Sequence, residues 1–186
     1  MVDLEHGPWC DAVLEFWFEQ HGRADWFAQS DAFDDDIRSR FAQTYDHVRT
    51  CTVDDLISEP RTALAAVIVL DQFPRNMFRN SPRGFESDAQ ARAVSRAAIE
   101  AGFDAHLTTD QSMLLYLPFE HSEELSDQDR SVALFRALGD VEYLDYAEKH
   151  RDIIVKFGRF PHRNSVLGRA STDAELSYLR EFGRGF

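Results

Sequence analysis

The run Ala63-Leu-Ala-Ala-Val-Ile-Val-Leu70, followed at once by Asp71-Gln-Phe-Pro-Arg-Asn76, decides how the chain folds. Eight consecutive apolar residues leave no polar face, so a helix built from them belongs in the middle of the fold. Pro60 suits its first turn. Pro74 lacks an N–H and is expected to break or kink it about ten residues in. The polar cluster Asp71, Gln72, Arg75 and Asn76 is then expected where the central element reaches a surface or a cleft. A second segment echoes it near the end of the chain, Arg159-Phe-Pro-His-Arg-Asn164.

Working outward, the segments on either side read as amphipathic helices. Pro8 to about Gln20 puts Trp9, Val13, Leu14, Phe16 and Trp17 on one broad face, with Gly22 offered as a left-handed stop. Residues 24–28, containing Trp26-Phe27, read as a linking turn. Ser30 or Asp31 caps a helix whose stripe is Phe33, Ile37, Phe41, Tyr45 and Val48. Asp34, Asp35 and Asp36 read as solvated charges in its first turns. Thr50 to Glu59 is a loop or a short helix, and Asn80 to Gly84 is turn chemistry. Ser87 is expected to cap a helix from Asp88 to Ala101. Thr109, or Thr108, opens the next, with Pro118 distorting its last turn. Ser126 is expected to cap a helix that stops at Gly139. Val141 to Phe157 carries Tyr143, Tyr146, Ala147, His150, Ile154 and Phe157 on one side. Thr172 or Ser171 caps the last helix, Asp173 to Phe182, with Glu175 placed for a capping box. No segment shows strand periodicity. The reading is one all-α domain over residues 1–186, an antiparallel helical array.

The net charge of −13 repels polyanions, so neither general nucleic-acid binding nor binding to an anionic membrane is expected. Two cysteines, Cys10 and Cys51, make no disulfide framework. The opening Met1-Val-Asp-Leu-Glu-His6 lacks a basic and then apolar signal, and the apolar run is far short of a membrane span. A cytoplasmic protein is the expectation. There is no phosphate-binding loop, no glycine-rich dinucleotide turn and no Gly-x-Ser-x-Gly elbow, so no cofactor is expected.

Several long blocks carry a family resemblance: Phe16-Trp-Phe18, Trp26-Phe27, Phe33-Asp34, Ile37-Arg38 with Phe41, Leu70-Asp-Gln-Phe-Pro-Arg-Asn-Met-Phe78, Tyr116-Leu-Pro-Phe-Glu-His-Ser-Glu123, His150-Arg-Asp-Ile153 and Phe157-Gly-Arg-Phe-Pro-His-Arg-Asn164. In these, almost end to end, the chain resembles the bacterial proteins grouped as domain of unknown function 924. A departure is the absence of a Trp from the Cys51–Ile57 loop. The resemblance implies an all-α, tetratricopeptide-like helical array of about seven or eight helices, and it implies no activity.

Two residue sets could carry chemistry. The first is Gln72, Arg75, Asn76, Arg159, His162, Arg163 and Asn164. Arg presents a planar fork suited to carboxylate or phosphate, and Asn can hold its orientation. If the two Phe-Pro turns and the Glu-His helix end wall a shared cavity, they bind a small anionic molecule or a peptide carboxylate. The second set is Glu120, His121 and His150, with Glu123 and Asp152 nearby. A His there could serve as general base with Glu120 orienting it, while the Arg pair holds an oxyanion. No metal site is expected, since these residues lack the stronger ligand spacings. The third reading is structural: the same side chains pin helix junctions within an interaction module.

Overall fold

A computed structural model describes residues 8–26 and 28–183; Phe27 and the opening segment 1–7, both read above, lie outside them. The described residues are helical, with no strand among them. They fall into two compact units, residues 8–26 and 28–79 with 83–107, and residues 80–82 with 108–183.

In the first unit, α1 (Pro8–Leu14) continues as a π-helical segment, Glu15–Gln20. Its expected face is buried, with Val13, Phe16 and Trp17 fully so. Gly22 does not adopt the left-handed region, because His21 already ends the helix in an extended conformation. Trp26 lies in a short helix, α2 (Arg23–Trp26), and its indole N–H donates to the Trp17 carbonyl at 2.9 Å. Helix α3 (Asp31–Val48) is capped by the Ser30 hydroxyl, which accepts from the Phe33 N–H. All five residues of its apolar stripe are buried. Thr52 and Asp55 form a capping box around α4 (Val53–Leu56), so the short helix is what forms between Thr50 and Glu59.

The central helix α5 (Pro60–Val67) starts on Pro60, and every residue from Ala63 to Leu70 is buried. Pro74 does not end it. The chain widens into a π-helical segment, Ile68–Gln72, in which the Phe73 N–H reaches back to the Ile68 carbonyl, and then resumes as α6 (Phe73–Met77). A proline deprives the carbonyl four residues earlier of its donor. That carbonyl belongs to Leu70, and the Ser87 hydroxyl donates to it at 2.6 Å. The next carbonyl, Asp71, accepts from Arg75 Nη1 at 2.5 Å. The distortion is therefore satisfied by side chains, Ser87 from outside the helix and Arg75 from within it, and the polar cluster is carried inward rather than to a surface. Asp71, Gln72 and Asn76 are buried.

Around the junction, aromatic rings fill the core. Phe73 meets Phe41 at 4.9 Å and Trp17 at 5.7 Å, while Phe16 lies edge-on to Phe41 at 5.0 Å. Such pairs add about 0.5–1.5 kcal/mol each beyond burial. Helix α7 (Asp88–Glu100) follows a 3-10 turn and packs on α5. Ser87 precedes α7 without capping it by its side chain, because its hydroxyl is committed to Leu70.

In the second unit, Thr108 caps α8 (Thr109–Glu120) in a capping box with Gln111. Pro118 sits inside that helix. Helix α9 (Leu125–Leu138) begins after Glu124, so Ser126 lies within it and is not its cap. Gln128, in the first turns of α9, instead closes the end of α8: its Nε2 donates to the Glu120 and Ser122 carbonyls at 2.6 and 2.7 Å. Gly139 and Gly158 end α9 and α10 (Val141–Phe157) in the left-handed region. Helix α9 packs against both α8 and α10. Tyr146 is exposed, unlike Tyr143, Ala147 and His150, because it lies at the rim of the stripe with the Lys149 ammonium 5.4 Å from its ring. Helix α11 (Asp173–Phe182) opens on the Thr172–Glu175 capping box.

Candidate functional site

In the first unit, each polar side chain of the Asp71–Asn76 cluster has a partner inside that unit. Arg75 forms a two-pronged pair with Asp88 at 2.9 and 3.1 Å, and Gln72 donates to Asp71 at 2.6 Å. Asn76 donates to Asp34 at 2.8 Å, and Arg79 grips the same carboxylate through Nε and Nη2, both at 2.6 Å. Asp34 is thus a buried hub and not a solvated N-terminal charge; Asp35 is exposed as expected. Arg38 adds Nη2 to the Met77 carbonyl at 3.0 Å, closing α6. The sequence reading missed Arg79. It reaches Asp34 from the turn that follows α6, where no helical spacing marks it.

In the second unit, the C-terminal end of α8, the middle of α10 and the 3-10 turn Pro161–Arg163 bring the remaining candidates together. Glu120 Oε1 lies 3.2 Å from His150 Nδ1, which also lies 2.8 Å from the Tyr146 carbonyl. A carbonyl only accepts, so Nδ1 carries hydrogen and Nε2 is the basic nitrogen of the neutral ring. Burial pushes His150 down to about 3. The Tyr146 carbonyl opposes this, and the positive potentials of His121, Arg163 and His162 add to it.

Phe160, fully buried, is the centre of the cluster. Its ring meets His150 edge-on at 5.7 Å and His162 at 5.6 Å, and the Arg163 guanidinium stands over it at 4.5 Å. His121 joins through His150, ring to ring at 6.3 Å. Arg163 is buried, and His121 and His162 are half-buried.

Two other candidates hold the loop. Arg159 pairs with Glu175 through Nε at 2.7 Å and Nη2 at 2.9 Å, and Nη2 also meets the Ala170 carbonyl. The Arg159 hydrogen bond brings Glu175 down to about 2. Asn164 donates to Ser171 at 3.0 Å and accepts from Arg169 Nε at 3.0 Å. Arg169, which the sequence reading passed over, spans Glu123 with both Nη atoms, at 2.6 and 2.9 Å. Against the cost of its burial, the Arg169 pair and the Phe160 N–H hold Glu123 below its ordinary value. Arg169 lies in irregular backbone, where no periodicity marks it. Among the described residues, no group of three or more His, Cys, Asp or Glu is placed to hold a metal ion.

This arrangement can do two things chemically. Guanidinium and imidazole groups gathered around one ring favour an anion. A neutral imidazole fixed through Nδ1 beside a carboxylate has the layout of an acid–base pair.

The family model described as "Bacterial protein of unknown function (DUF924)" matches residues 13–183. No curated protein matches the chain. A solved structure of a protein of unknown function from Agrobacterium tumefaciens is similar to it, with 37% identity and a TM-score of 0.88. The similarity covers 92% of this chain and 97% of that one.

Proposed function

We propose, for a chain that belongs to the DUF924 family of bacterial proteins of unknown function, that it is a cytoplasmic binding protein for a small anionic molecule or a peptide carboxylate. Recognition is centred on Arg163, His162 and His121. The observation that carries this reading is the gathering of these groups with His150 around the buried ring of Phe160. Gln72, Arg75, Asn76, Arg159 and Asn164 serve mainly to hold their turns. A ligand reaching Arg75 or Arg159 has to displace Asp88 or Glu175. The helices pair in the tetratricopeptide-like manner, a reading supported by α9 packing on the helix before it and the helix after it. Residues 1–186 fold as one domain; two separate calorimetric transitions would divide it. Among the described residues no helix is long and apolar enough to cross a membrane.

Thermal denaturation at constant ionic strength tests the binding reading. Sulfate, inorganic phosphate and succinate are titrated into the full chain. At least one is expected to raise the melting temperature saturably, and His162→Gln and Arg163→Gln are expected to abolish the rise. Equal shifts in both variants would remove the basis for the reading.

A second reading rests on the 3.2 Å approach of Glu120 to His150. Here His150 is a general base, His121 its neighbour, and Arg163 the oxyanion partner. It requires that His150→Gln lose all turnover of a substrate that the wild type consumes. Turnover retained in that variant would end it.

A further inference from the structure

We infer that Arg169 and Glu123 are the positioning residues of the anion site, an inference that rests on the binding reading above. The pair holds one peptide segment from both sides. Glu123 Oε1 accepts the Phe160 N–H at 2.8 Å, and Arg169 Nη2 donates to the Phe160 carbonyl at 3.2 Å. The two side chains are joined to each other by two charge-assisted hydrogen bonds. Arg169 then continues along the loop. Its Nε donates to Asn164 Oδ1, and its own backbone N–H donates to the Asn164 carbonyl at 2.8 Å. The segment fixed in this way, Phe160 to Asn164, carries the ring at the centre of the cluster and both His162 and Arg163. Its own backbone bonding is that of a single 3-10 turn, Pro161–Arg163, in which the Arg163 and Asn164 N–H groups donate to the Phe160 and Pro161 carbonyls at 3.1 and 3.0 Å. The orientation of His162 and Arg163 is therefore set by Glu123 and Arg169. Neither needs to touch the anion. Pinning by a two-pronged ion pair is geometrically stricter than pinning by a lone hydrogen bond, because both nitrogens and both oxygens must align at once.

This assigns separate effects to separate residues. Loss of Arg163 removes a recognition group. Loss of Arg169 leaves every recognition group present but no longer held, so the anion has to order the loop when it binds.

The test is isothermal titration of the full chain with sulfate, which keeps its charge across the working pH range. It is accompanied by amide hydrogen exchange at Phe160 and Asn164. Arg169→Gln is expected to weaken sulfate binding by about tenfold and to speed exchange at both amides. Arg169→Lys keeps the charge but not the fork and is expected to fall between. Val132→Ala, a buried truncation in α9, serves as the control. It is expected to lower stability while leaving sulfate affinity within about twofold. Sulfate binding in the wild type that Arg169→Gln and Arg169→Lys both preserve would overturn the positioning role and leave the binding reading standing. Equal weakening by Val132→Ala would also overturn it, since general destabilisation then explains the effect. Absence of sulfate, phosphate and succinate binding in the wild type would overturn the binding reading, and the positioning role with it.

Discussion

Acidification should destabilise the protein through His150, and the sign of the effect distinguishes two states of the Glu120–His150 contact. The ring is buried, with a folded-state pKa of about 3 against an ordinary 6.5. Between these values the unfolded chain binds a proton that the folded chain refuses, so stability rises with pH across the window. It is fully present above about pH 6.5 and is lost as the pH falls towards 3. Each pH unit inside the window is worth at most about 1.4 kcal/mol, so lowering the pH from 7.5 to 5 costs about 2 kcal/mol from this residue alone. An imidazolium held by the Glu120 carboxylate would behave oppositely, its folded pKa raised and its stability greatest at low pH. The assay is urea denaturation of the wild type and His150→Gln at half-unit steps from pH 7.5 to 5. The difference in unfolding free energy between the two proteins should shift by about 2 kcal/mol, with the wild type losing more on acidification. A difference that is flat across the range, or that grows in favour of the wild type at pH 5, would refute the neutral buried imidazole.

Three other outcomes follow from the hydrogen-bond networks. Glu175 is held down to about 2 by Arg159 against an ordinary 4.5, so its contribution is present above pH 4.5 and fades as the pH falls towards 2. Glu175→Gln should flatten the denaturation midpoint across that range. Ser87→Ala removes the donor to the Leu70 carbonyl beneath Pro74 and should destabilise by about 1–3 kcal/mol by urea denaturation; no change would mean the carbonyl finds another donor. A Cβ on Gly84 would stand 3.3 Å from the Phe78 carbonyl and 3.5 Å from the Pro74 carbonyl, so Gly84→Ala should lower the melting temperature, by about 1–3 kcal/mol in stability.

The helices and their buried stripes were legible because each rests on local periodicity. The run from Ala63 to Leu70 and the stripe from Phe33 to Val48 needed no knowledge of tertiary partners. What was illegible depended on groups far away in sequence. Pro74 reads locally as a break, yet Ser87 supplies the bond it removes, and the helix continues. Ser87 reads locally as a cap for the same reason that it is free to serve Leu70 instead. Asp34 sits where a first-turn carboxylate is ordinarily solvated, and only its bonds to Asn76 and Arg79 reveal its burial. In the candidate site, the placement of His150 on an apolar face followed from its spacing to Tyr146 and Ile154, of which Ile154 is buried and Tyr146 exposed. Arg169 had no such signal, because an irregular loop presents no spacing from which to infer a partner.

The proposed recognition of an anion rests on the imidazole and guanidinium groups around Phe160. Its most direct measurement is a side-chain imidazole NMR titration of the histidine-labelled full chain with sulfate and with succinate at constant ionic strength. Saturable shifts are predicted at His121 and His162, with His47 and His106, outside the site, unmoved, and with the response lost in Arg163→Gln. Shifts spread evenly over all the histidines, or none that saturate, would contradict it.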